Sequence, residues 1–134
     1  MQVYEYKKIE MKRDMELIRN LLLHVENDPL FDGTHFVSPD IASEFDPSGE
    51  HSMDELAYHL ELLMEAGFLK GKSGIGFGAP MVNKLTWKGH EFLDDIRDQD
   101  IWAKTKERLK GLQSVALSVV SEVAKAEIKK RLGL

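Results

Sequence analysis

Cysteine is absent from the 134 residues. Its absence removes thiol nucleophiles, thiolate metal sites and a disulfide framework, and it fits a reducing compartment. A chain of this length needs none of these to fold, because one domain of this size buries enough apolar surface to be stable alone. Long apolar runs are missing too. No stretch reaches the roughly 18 residues that a bilayer-spanning helix requires, and the opening MQVYEYKKIEMKRDM is too charged for a secretory leader. The expectation is a cytoplasmic domain that does not enter a membrane.

Charge of one sign is missing locally. From Asn20 to Leu69 there are 11 acidic residues and no Lys or Arg, whereas from Gly67 to His90 there are Lys70, Lys72, Lys84 and Lys88 and no acid. Residues 1–101 hold 10 Lys/Arg against 20 Asp/Glu, or −10, and residues 102–134 hold 8 against 3, or +5. The net charge of −5 therefore hides an acidic body and a basic tail, and it is local fields that select partners.

Apolar periodicity supplies the elements. Met11, Met15, Ile18, Leu22 and Val25 step by four and three, which predicts a helix over about 12–27. The preceding VYEYKKI has strand-like composition. Residues 27–51 are rich in Pro, Gly, Asp and Ser and predict turns around two short pieces, Thr34–Val37 and a short helix at Pro39–Phe45. Ser52 with Glu55 forms a capping box that opens a helix to Ala66, with Met53, Leu56, Leu60 and Leu63 as its buried stripe and Gly67 as its left-handed terminator. Strand-like runs at Phe68–Lys72 and Met81–Thr86, joined by SGIGFGAP, predict a β-hairpin. Thr86 caps the next helix, with Trp87, Phe92, Leu93 and Ile96 facing the core. Residues 101–134 are expected to be helical, with a break near Gly111 and a last helix over about 113–132. Its two stripes, Leu112, Ala116, Val119, Val123 and Leu117, Val120, Ala124, Ile128, are together wider than one core face needs.

The order helix, short helix or loop, helix, hairpin, helix is that of a winged helix, so the fold class is mainly α (α+β) with C-terminal amphipathic helices. YHLELLMEAGFLKG followed by KLTWKGHEFL resembles a phrase common among small bacterial winged-helix regulators, matched by Tyr58, His59, Leu60, Leu63, Ala66, Gly67, Leu85, Thr86 and Gly89, with Phe68 where Leu is usual. Together with MKRDMELIRNLLLHVE and the last 34 residues, the chain resembles the bacterial and prophage family labelled domain of unknown function 2513, from Met11 onward. That resemblance implies a winged helix and carries no activity or functional residue with it. The expected organisation is an extension over residues 1–10, a winged-helix domain over 11–100, and a helical dimerisation or interaction segment over 101–134.

The stretch GFLKGKSG stands near a phosphate-binding P-loop, but Gly67 and Gly71 are one residue too close, and the loop follows a helix and opens a strand where a P-loop does the reverse. Gly67 is accordingly a helix cap, and Lys70 and Lys72 belong to the wing. The helix that would enter a major groove presents Asp54, Glu55 and Tyr58, with Glu61 and Glu65 beyond. Carboxylates repel phosphates, so DNA contact falls to Lys70, Lys72, Lys84 and Lys88, although hairpin lysines also guard edges. The same acids either favour the helix dipole or dock a basic protein partner.

The basic tail suits phosphates, an acidic membrane, or the acidic body of this or another protomer. Its excess apolar surface favours a homodimer through Leu112, Ala116, Val119, Val120, Val123 and Ile128. None of the five histidines stands at metal-ligand spacing, and His59 reads as a packing residue bonded to backbone. Asp94, Asp95 and Asp98 suit solvent or the basic tail better than acid–base work. No cofactor, metal or enzymatic activity is expected. Two functions compete: a regulator of a mobile element whose wing leads DNA contact, and an adaptor whose acidic helix face binds protein.

Overall fold

The computed structural model describes residues 12–38, 49–76 and 78–134. Along them run α1 (Met15–Asn27), α2 (Met53–Glu65), β1 (Leu69–Lys72), β2 (Met81–Leu85), α3 (Trp87–Ile96), α4 (Gln99–Leu109) and α5 (Leu117–Arg131). The fold is thus mixed α+β and mainly helical, with the two strands paired antiparallel. The segment at residues 1–10, Met11 and the short helix expected at Pro39–Phe45 lie outside the described residues.

The centre of the fold is α1, which touches α2, β2 and α3. Leu21 and Leu22 are fully buried, and Leu17, Ile18 and Val25 nearly so. This face is broader than the one periodic stripe of the sequence because neighbours surround the helix on several sides. Arg19 also lies inward, only 5% exposed. Its Nε donates to Ile96 O at 2.8 Å and its Nη2 to Arg97 O at 2.6 Å, so a guanidinium sits on the carbonyl end of α3, where the helix dipole favours a cation. Burial holds its pKa below the usual arginine range.

The N-termini of α1 and α2 are joined through one imidazole. His59 is 2% exposed, its Nε2 accepts from Asp14 N–H at 2.9 Å, and its Nδ1 lies 2.7 Å from Glu55 O. Because a backbone N–H can only donate and a carbonyl only accept, the ring is held neutral with its proton on Nδ1. The expectation of a buried, backbone-bonded His59 is met. Asp14 is itself the cap of α1, accepting from Leu17 N, and its other oxygen lies 2.9 Å from His51 Nε2. Partial burial pushes the Asp14 carboxyl up, but the His51 and Leu17 hydrogen bonds outweigh it and leave the pKa lowered. The capping box of Ser52 and Glu55 opens α2 as the sequence indicates.

Two apolar assignments and two boundaries need correction. Met53 is 48% exposed and Trp87 81% exposed, because each is the first residue of its helix and lies outside the buried stripe that follows. The last helix starts at Leu117, not near residue 113, and residues 110–116 form a connection that opens with a turn after α4. Because α4 starts at Gln99, capped by Asp98, the boundary placed at 100/101 falls inside a helix. Ile101, Trp102, Val120 and Ala124 share one core with α1 to α3.

Glu26 and Arg97 tie α1 to α3 by two hydrogen bonds of 2.6 and 2.7 Å. The Arg97 guanidinium holds the Glu26 carboxyl below its ordinary value of 4.5. The unfolded chain therefore takes up this proton first as pH falls, so the contribution is complete above about pH 4.5 and fades as pH drops through the folded value. Replacing Glu26 by Gln is expected to lower unfolding free energy by about 1 kcal/mol at neutral pH. In urea titrations the gap should close progressively below about pH 4.5; a gap independent of pH would contradict the assignment. Replacing His59 by Ala opens a cavity and orphans Asp14 N–H, and should lower stability by about 2–4 kcal/mol. A loss under about 1 kcal/mol would show that the imidazole does not join the two helices.

Candidate functional site

The hairpin is built from its base outward. Gly67 has φ +82°, its N–H donates to Met64 O, and Phe68 N–H donates to Leu63 O, a pair of bonds that ends α2 in a Schellman motif. The chain leaves that turn directly into β1. The second strand returns to the same point, where Thr86 N–H donates to Phe68 O at 3.1 Å and Thr86 Oγ1 to Gly67 O at 2.5 Å. Phe68 and Phe92 stack at 4.9 Å beneath the joint. The glycines of GFLKGKSG thus shape a helix end and a hairpin, as their context indicates. Gly71 has a different role, since a Cβ there would lie 2.4 Å from Met81 O and 2.5 Å from Met64 Sδ, so only glycine lets β2 and α2 approach this closely.

Two further contacts fix the hairpin's attitude. Glu61 accepts from Gly74 N at 2.7 Å and Ser73 Oγ at 3.2 Å, so α2 grips the hairpin near its tip. On the far edge of β2, Val82 and Val37 exchange two backbone hydrogen bonds of 2.8 and 2.9 Å. Ile75 at the tip is 78% exposed.

The register sets Lys70 directly opposite Lys84, and both are exposed. Like charges in this position destabilise a ladder. Among the described residues neither lysine meets a carboxylate. The other two lysines of the set are engaged differently: Lys72 Nζ lies 4.4 Å from the Phe36 ring centroid, and Lys88 Nζ donates to Ala66 O at 3.1 Å, at the carbonyl end of α2. The four assigned to one surface are thus two free cations on one face and two held by local contacts.

The acidic face divides in the same way. Glu55 closes the capping box, Tyr58 packs edge-on against His59 at 5.7 Å, and Glu61 holds the hairpin. Asp54 and Glu65 stay exposed and make no ion pair among the described residues.

Half of the tail's eight cations, Lys104, Lys106, Lys125 and Arg131, face the acidic body of their own chain. Arg131 reaches Asp98 at 3.1 Å and Asp100 at 2.6 Å, Lys125 reaches Asp95 at 4.0 Å, and Lys106 reaches Glu16 at 2.5 Å. Ser121 donates to Asp95, and Arg108 pairs with Glu127 at 3.3 Å. The Ile101 N–H, ahead of Arg131, keeps the Asp98 carboxyl below its usual range. The apolar face proposed for a dimer is also partly consumed. Val120 is 1% exposed inside the core, so it is not available to a second copy, and Ile128 packs half-buried against the same core. Leu112, Ala116 and Val119 are exposed, and Val123 is half-buried. The described residues contain no helix long and apolar enough to cross a membrane, and no cluster of His, Asp and Glu suited to a metal ion.

Sequence reasoning missed the Glu61 contact, the buried Arg19 and the opposition of Lys70 to Lys84. A lone arginine at the edge of an apolar stripe was the available signal for Arg19. The register gave none, because a long glycine-rich tip leaves the pairing of the two strands open.

No solved structure matches the chain. A Haemophilus influenzae protein described as uncharacterized is 31% identical over 125 residues, covering 91% of this chain and 99% of that one. The family model described as "Hypothetical protein (DUF2513)" matches residues 12–116, which span α1 to α4 and the whole hairpin. By both comparisons the chain belongs to the DUF2513 family.

Proposed function

We propose that the chain is a non-enzymatic winged-helix protein that regulates transcription by binding duplex DNA, with the hairpin as its leading contact. The observation that carries the reading is the exposed, carboxylate-free pair of Lys70 and Lys84 facing each other across the strands. A phosphate lying between them relieves their repulsion and releases counterions. The order of elements supports the winged-helix assignment: α2 stands where a recognition helix would, the hairpin follows it, and Val37 supplies the place of a third strand. Internal pairing of the tail argues against that segment as the phosphate contact. The exposed Leu112, Ala116 and Val119, with Val123 beside them, suit the pairing of two copies, and α2 then serves mainly to aim the hairpin.

A second reading rests on Asp54 and Glu65, which stay exposed without ion pairs beside Met53, itself 48% exposed. In this reading the face of α2 docks a basic protein, and the fold is an adaptor that does not bind DNA.

Fluorescence anisotropy with a random-sequence duplex at about 50 mM salt separates the two. The DNA reading predicts binding that weakens steeply with salt. The double variant Lys70→Gln, Lys84→Gln should bind at least about tenfold more weakly, with a log–log salt slope reduced by about 2. Neutralising Asp54 and Glu65 should strengthen binding. Absence of binding, or a double variant that binds like the parent, contradicts the reading. For the pairing of copies, sedimentation should give a dimer mass that Val119→Asp converts to a monomer with an unchanged melting temperature; a monomeric parent contradicts it.

A further inference from the structure

Beside the hairpin lies an open cleft of about 400 Å³, within the size range of small-ligand sites. Its floor is apolar, from Val25, Phe31 and Leu85, and its rim carries Trp87, Lys84 and Asp32. Trp87 is 81% exposed, which is unusual for a residue that is mostly buried. Its backbone is nonetheless rigidly placed, because Thr86 caps α3 by accepting from Gly89 N–H at 3.0 Å. The Lys84 stem runs along the loop at Gly33, where an added Cβ would come within 3.2 Å of Lys84 Cδ. Asp32 Oδ1 accepts from both Thr34 N and Thr34 Oγ1, at 2.8 and 2.6 Å, which fixes the carboxylate. Glu26 also lines the cleft, but its charge is matched by the two hydrogen bonds from Arg97.

We propose that this cleft takes one unstacked nucleobase bearing an exocyclic amine. Trp87 stacks on the base, Asp32 accepts from its amine, and Lys84, with Lys70 opposite, holds the adjoining phosphate. The inference rests on the nucleic-acid reading above and adds a base-reading site to it. Exposed aromatic rings beside cations are the platform by which proteins hold unpaired bases. A carboxylate accepting from an amine is the contact that distinguishes cytosine from thymine. An aromatic and acidic cleft also suits a cationic side chain of a protein, and the free Lys84 on its rim is what favours the nucleotide.

The test uses the full chain and its own fluorescence. Trp102 is 3% exposed with its indole N–H bonded to Glu16, so quenching on ligand addition reports Trp87. Short oligo(dC), short oligo(dT), a blunt random-sequence duplex and an arginine-rich peptide are titrated in turn. Oligo(dC) is expected to quench the emission and to bind more tightly than oligo(dT). Trp87→Ala should abolish the quench and weaken oligo(dC) binding about tenfold, with duplex affinity unchanged. Asp32→Asn should equalise the two oligonucleotides. If oligo(dC) binds without quenching, or if Trp87→Ala weakens duplex and single strand alike, the base site is overturned while the DNA reading stands. If no nucleic acid binds, both are overturned. Quenching by the peptide alone assigns the cleft to a protein and overturns the proposal.

Discussion

The imidazole of His59 is the contact on which the rest of the fold turns. It accepts from the backbone of Asp14 and bonds to the backbone of Glu55, so the entrances of α1 and α2 are locked at one point in the interior. A hydrophobic interface alone tolerates sliding, whereas a buried ring with one acceptor and one donor allows a single arrangement in which neither is orphaned. With α2 fixed, the hairpin follows. The Schellman turn at Gly67 starts β1 in a set direction, and Glu61 holds the tip from the same helix. A polar contact near residues 14 and 59 therefore determines where Lys70 and Lys84 project.

Charge is distributed by the same economy of position. The acidic surplus of the first 101 residues and the basic surplus of the rest are partly matched to each other, through Lys104, Lys106, Lys125 and Arg131, once α4 and α5 fold back on α1 and α3. Such half-exposed pairs contribute little individually. Their larger effect is subtractive, since cations already matched to carboxylates offer little field to an outside anion. Among the charges of the hairpin strands and of the α2 face, the unmatched ones carry the information: Lys70 and Lys84, and Asp54 and Glu65.

Local chemistry was the legible part of the sequence. The capping box at Ser52 and Glu55, the left-handed Gly67, the strands on either side of the glycine-rich loop and the cap at Thr86 all follow from short-range rules, and each stands where those rules put it. Apolar periodicity located the helices but overreached at their first turns, where Met53 and Trp87 face solvent. It also could not anticipate that Val120 would be covered by the chain's own core, since a stripe does not state which neighbour covers it. Pairings across 70 or more positions, such as Arg19 with Ile96 and Glu26 with Arg97, leave no local trace at all. The candidate site was legible as four lysines and became specific only through register, which divided them into two free and two engaged.

The central claim is that a rigid hairpin, set by α2, presents the only unmatched cation pair of the described hairpin to a polyanion. Backbone amide NMR during titration of the labelled protein with random-sequence duplex at low salt tests this most directly. The account predicts shift changes concentrated at residues 69–72 and 81–85, with Asp54 to Glu65 nearly unmoved. Changes centred on the face of α2, or a spectrum unchanged at saturating duplex, would contradict it.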